Sequence, residues 1–115
     1  MPSPRLNLEY RDSLRMQLVS AAQSIIEGRL GIVEGTRTMI GLAFKLEVQN
    51  DEPFLYFQGL DSRTDHFPIG AVREQWNRTS LAREDALREG IEVNVRPQVL
   101  SHCETIVRMF GSRAV

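Results

Sequence analysis

The sequence predicts a mainly α fold. Residues 1–115 form one domain, in which four helices pack as a bundle and a long ordered crossover joins the second helix to the third. Three observations carry this expectation. Apolar residues recur at spacings of three and four in four separate segments, the period of a single helix face. Glycine, asparagine and proline punctuate the gaps between those segments. A chain of 115 residues with 42% hydrophobic and 25% charged content is long and apolar enough to bury one core.

Pro2 and Pro4 favour an extended start, so residues 1–5 are expected to be frayed. From about Leu6 the first helix begins. Leu14, Leu18, Ala21 and Ile25 form its stripe, widened by Ala22 and Ile26, with Gln17, Gln23, Ser24 and Glu27 off it. Gly28 and Gly31 interrupt the pattern, and the corner is expected at about Gly31. A second helix follows through Ile32, Met39, Ile40, Ala43 and Phe44. Gly35 and Gly41 lie inside it, each costing about 1 kcal/mol relative to alanine. Both are read as places where another helix comes close, which makes the first two helices a tight antiparallel pair.

"EVQNDEP" at 47–53 reads as a loop, with Asn50, Asp51 and Pro53 as turn residues. "FLYF" at 54–57 is apolar but short, and fits a brief strand or an extended segment over the core. Asn77 is placed to cap a third helix that starts near Arg78 and turns Leu81, Leu87, Ile91 and Val95 inward. Pro97 ends that helix or opens the next. Leu100, Cys103, Ile106 or Val107, and Phe110 then form the fourth stripe. "IEVNV" at 91–95 alternates and also suits a strand.

Composition excludes several classes. The net charge is −1, so the chain lacks the basic excess that phosphate backbones require, and no nucleic-acid partner is expected. No apolar run reaches the roughly 20 residues that span a bilayer, and no signal-peptide layout opens the chain. Cys103 is the single cysteine, so no intramolecular disulfide forms. A soluble cytoplasmic protein without membrane attachment is expected.

Motifs for chemistry are weak. "GRLGIVEGT" at 28–36 has no Gly-Lys-Ser/Thr, so nothing would reach a bound phosphate. Asp61 and Asp65 cannot open an EF-hand loop, because Arg63 and His66 stand where a ligand and a glycine are needed. His102 and Cys103 are adjacent, so on a helix they point about 100° apart. A pairing of Cys103 with His66 and Asp65 has no local support, since Cys103 falls on an apolar stripe where a thiol is inert. No metal, no cofactor and no enzymatic activity are expected. "FLYFQG" at 54–59 is similar to the recognition site of tobacco etch virus protease, with Pro53 in place of that site's glutamate.

The densest stretch is "DSRTDHFPIGAVREQW" at 61–76. Phe67-Pro68-Ile69-Gly70 has the residue order of a type I turn. Asp61, Ser62, Thr64 and Asp65 are types that bond their own backbone in turns. Phe54, Tyr56, Phe57, Phe67 and Trp76 are five of the chain's eight aromatics. An organised loop follows from this, with Trp76 buried and Arg73 paired to Asp61 or Asp65. Asp61, Arg63, Asp65, His66, Arg73 and Trp76 are equally the candidate residues of an interaction surface, because binding residues concentrate on ordered loops.

The runs "IIEGRLGIVEGTR", "DSRTDHFPIGAVREQW" and "SLAREDA" resemble a family of small uncharacterised bacterial helical proteins, a domain of unknown function. Its members carry an Asp-Ser-x-Thr-Asp-x-x-Pro-x-Gly-x-Val-Arg-x-x-Trp segment. The resemblance spans roughly residues 24–86 and implies a helical fold and bacterial origin. Some members look like antitoxin or immunity proteins, which implies action by binding another protein. It supplies no catalytic residues, and Arg63 stands where an acidic residue is expected. The leading expectation is an immunity-like inhibitor whose partner is a toxin. The alternatives are a structural or regulatory homo-oligomer, and an enzyme without a recognisable motif.

Overall fold

The structure, a computed structural model, describes residues 4–111 and is mainly α in a single domain. Helix α1 spans Pro4–Ile26, α2 Ile32–Leu46, α3 Glu52–Thr64 and α4 Arg78–Ile106. A 3-10 helix, Gly70–Gln75, lies between α3 and α4, and a π-helical turn, Val107–Gly111, follows α4. Residues 1–3 of the expected frayed start lie outside the described residues, and α1 already includes Pro4.

Helix α1 ends as its glycine foretells. Gly28 adopts a left-handed φ of 77°. Its N–H donates to Ile25 O at 3.1 Å and the N–H of Arg29 to Ser24 O at 2.9 Å, the paired bonds of a Schellman motif. The chain then returns as α2, which packs along α1. Gly35 makes that approach possible, because a Cβ there would stand 2.3 Å from Ile25 Cδ1. Gly41 does not play the same part: a Cβ at this position meets nothing within 4 Å. Phe44 is also exposed rather than inward.

The end of α2 repeats the bond pattern of α1 without a glycine. The N–H of Val48 donates to Ala43 O at 2.9 Å, and Glu47 takes the left-handed position with φ 61°. Arg11 of α1 adds a side-chain cap, its Nη2 donating to Leu46 O at 3.0 Å. One turn along, Arg15 donates to Phe110 O at the end of the π-helical turn. Cations at helix C-termini are favourable because the unpaired carbonyls there carry partial negative charge.

The segment expected as a strand or extended crossover is helical. Asp51 precedes α3 and Pro53 lies in its first turn, where a missing N–H removes no intrahelical bond. Phe54, Phe57, Leu60 and Thr64 are buried and recur at spacings of three, three and four. The crossover proper is therefore shorter, residues 65–77. The third and fourth expected helices are in turn one, because α4 runs through Pro97. Pro97 is exposed, so the carbonyl it leaves unbonded one turn back can take a bond from water. Residues 91–95 are helical, which removes the strand alternative. Asn77 caps α4 as expected, its Oδ1 accepting from Thr79 N at 2.8 Å and Ser80 N at 3.2 Å.

The core gathers Leu14, Leu18 and Ile25 of α1, Met39 and Leu46 of α2, Phe54 and Phe57 of α3, and Val99, Cys103 and Ile106 of α4, among others. Helix α4 contributes from Ile91 onward: Ile91 packs half-buried against the core, and the buried residues are Val95, Val99, Cys103 and Ile106. Leu87, expected inward, is 55% exposed. The first half of α4 is held by polar contacts instead. Glu92 Oε2 accepts from Val33 N at 3.2 Å, placing a carboxylate at the N-terminus of α2. Arg88 pairs with Glu34 at 3.3 Å.

Candidate functional site

The stretch 61–76 divides into a buried anchor and an exposed face. Asp61 and Arg63 belong to α3, and Asp65 is its C-terminal cap residue. Thr64 is fully buried, and its Oγ1 donates to Leu60 O at 2.8 Å, one turn back along the helix. Phe67 and Pro68 are buried as well, so the chain enters the core immediately after α3 ends.

Arg37 of α2 fixes this corner. Its Nη2 donates to Thr64 O at 2.8 Å and to Phe67 O at 2.9 Å. These are carbonyls at and beyond a helix C-terminus, which lack intrahelical partners. Asp61 Oδ1 lies 3.9 Å from Arg37 Nε, within ion-pair range but too far for a hydrogen bond. One guanidinium from a neighbouring helix thus holds both sides of the turn. The turn itself is Thr64–Phe67, closed by Phe67 N donating to Thr64 O at 3.1 Å. The type I turn expected at Phe67–Gly70 does not form. Ile69 is extended at φ −134°, ψ 156°, and Gly70 has φ 71°.

Arg73 pairs with neither Asp61 nor Asp65. Its two terminal nitrogens meet Asp85 of α4 at 2.8 Å and 2.7 Å, a bidentate contact, and Nη1 also donates to Pro68 O at 3.2 Å. The reason is topological. Asp61 sits on α3 where Arg37 of α2 reaches it, whereas Arg73 lies beyond the turn, against α4. The hydrogen bond from Arg73 holds the Asp85 carboxyl below the usual carboxylate range, and the same bond raises Arg73. Trp76 is half-buried and outside the core cluster, which corrects the expectation of a buried tryptophan.

The remaining candidates form the exposed face. Arg63, Asp65 and His66 are all exposed. The His66 ring lies over Phe67 with centroids 4.1 Å apart, so an exposed imidazole is steadied by a buried aromatic. Tyr56 stacks on His102 of α4 at 4.3 Å. Burial pushes the Tyr56 hydroxyl up, and the charge of Arg63 draws it back. Cys103 is fully buried, and burial pushes its thiol up to about 12, so it behaves as a small hydrophobe.

Two residues central to the corner, Arg37 and Asp85, escaped the sequence reading. No local pattern reveals the partners of Arg37, which lie 27 and 30 residues on, or that of Asp85, which lies 12 residues back across the start of α4. Among the described residues, no group of three His, Cys, Asp or Glu side chains could hold a metal ion. Nor is any described helix long and apolar enough to cross a membrane. No protein-family model, curated protein or solved structure matches the chain.

Proposed function

We propose that this is a small bacterial protein of the cytoplasm that acts by binding another protein, as an immunity-like inhibitor of a toxin. The recognition surface is the corner where α3 ends, with Arg63, Asp65 and His66 as its contact residues. One observation carries the reading: exposed charged and imidazole side chains stand on backbone fixed from beneath by Arg37, Thr64 and Phe67. A surface held in one shape loses little conformational entropy on binding, which favours affinity. The family resemblance of 61–76 supports the same reading. The role is binding rather than catalysis, and it needs no cofactor.

A regulatory homo-oligomer is the second reading. Its specific support is the part of α4 before Val95, which has no buried residue and leaves Leu87 and Val93 exposed, the latter at 63%.

Affinity capture from the native organism tests the first reading, with wild type, Arg63→Glu and His66→Ala as baits. A single protein held in equal amount by wild type, and lost from both variants at unchanged melting temperature, is the expected result. Identical captures by all three baits would overturn it. A dimer mass in solution that Leu87→Glu abolishes would favour the second reading.

A further inference from the structure

The crossover is pinned at both ends and loosely held between them. At one end Phe67 and Pro68 are buried, and Arg37 binds the Phe67 carbonyl. At the other, Asn77 caps α4. None of the residues 69–76 is buried: Gly70, Ala71, Val72, Glu74 and Gln75 are exposed, and Ile69, Arg73 and Trp76 half-buried. Gly70–Gln75 form a 3-10 helix, whose hydrogen-bond geometry is poorer than that of an α-helix. Gly70, at φ 71°, supplies a bend that other residues resist. Among the described residues, the side-chain hydrogen bonds from this segment to the helices are those of Arg73 to Asp85.

We propose that residues 69–76 are a strap that opens as a unit while the four helices stay folded, with Arg73–Asp85 as its latch. Segments with few buried contacts open at free energies well below that of global unfolding. The latch residues are about one-third exposed, at 31% and 36%, so salt weakens their attraction. The charges of Glu34 and Arg88 also act weakly on the latch, at Arg73 and Asp85 respectively. Opening frees both latch charges and lifts Trp76 from its half-buried position. A ligand that engages the freed groups would draw the population toward the open form. The inference concerns the free protein and does not depend on the proposed toxin partner.

Trp76 is the chain's single tryptophan, so its fluorescence reports on the strap alone. Backbone amide exchange and acrylamide quenching should be measured on wild type and Asp85→Asn. In wild type, the Trp76 amide should exchange much faster than those of Leu18 and Val99. Asp85→Asn should raise strap exchange and Trp76 quenching by about two- to fivefold, the range an exposed ion pair supplies, with the core amides unchanged. Added sodium chloride should move wild type the same way, which keeps the test open should the variant fail to fold. Equal protection of Trp76 and Val99 would overturn the proposal. So would strap exchange and quenching that respond to neither the substitution nor salt.

Discussion

The same substitution should have opposite effects at two glycines of one helix. Gly35 and Gly41 both lie inside α2, and alanine is intrinsically better than glycine there by about 1 kcal/mol. At Gly41 nothing opposes that gain, because an added Cβ meets no atom within 4 Å. At Gly35 the Cβ would lie 2.3 Å from Ile25 Cδ1 and 2.6 Å from its Cγ1. Ile25 is 2% exposed and packed on all sides, so it cannot swing away freely. Overpacking of this kind costs roughly 1–3 kcal/mol. Gly35→Ala should therefore lose up to about 2 kcal/mol net, and Gly41→Ala should gain about 0.5–1 kcal/mol. Unfolding entropy scales with length, so 1 kcal/mol corresponds to about 4 °C for a chain of 115 residues. Thermal melts followed by circular dichroism should place Gly41→Ala about 2–4 °C above wild type and Gly35→Ala below it by up to about 8 °C. Adding Ile25→Ala should relieve the clash, so that the double variant loses less than the sum of its parts. Melting temperatures that rise in both variants would refute the close approach of α1 to α2 at Gly35.

Three further outcomes follow from burial. Phe57→Ala, a fully buried aromatic, should cost about 3–5 kcal/mol in denaturant titrations, whereas half-buried Trp76→Ala should cost about 1 kcal/mol; equal losses would place Trp76 in the core. Cys103 should ignore an aromatic disulfide reagent in native buffer and react at once in denaturant. Its thiol is raised from 9.0 to about 12 in the fold, so this group's contribution is complete below pH 9 and declines as pH rises toward 12; native-state labelling at neutral pH would contradict the burial. Native protein should resist tobacco etch virus protease at Gln58-Gly59, because the segment is helical with Phe54 and Phe57 buried, and rapid cleavage would show α3 to be unformed.

The first two helices, a glycine corner between them and the Asn77 cap were legible because each depends on local pattern alone, although the left-handed turn falls at Gly28 rather than Gly31. Helix α3 was not. Asn50, Asp51 and Pro53 read as loop residues, and Gly59 cut the apolar run short. The spacing of Phe54, Phe57, Leu60 and Thr64 was nevertheless helical, and following it past the glycine would have found the helix. Pro97 suggested a boundary because an interior proline removes a backbone bond. Its exposed position in α4 is tertiary information. So are the ion pairs. Arg73 had aspartates nearby in sequence, and its partner came from the next helix. The anchoring role of Arg37 had no local signal, since it bonds backbone carbonyls that any sequence carries. Among the candidate residues, Arg63, Asp65 and His66 are exposed, while half-buried Asp61 and Arg73 contact the corner through Arg37 and the Pro68 carbonyl.

The central claim is that Arg37 anchors the corner at 61–68 beneath the exposed face of Arg63, Asp65 and His66. Equilibrium urea unfolding of Arg37→Ala and Arg63→Ala, side by side, tests it most directly. Arg37→Ala leaves the Thr64 and Phe67 carbonyls without their charged donor and should lose about 2 kcal/mol. Arg63→Ala removes an exposed side chain and should stay within about 0.5 kcal/mol of wild type. Equal stabilities for the two variants, or a larger loss from Arg63→Ala, would contradict the account.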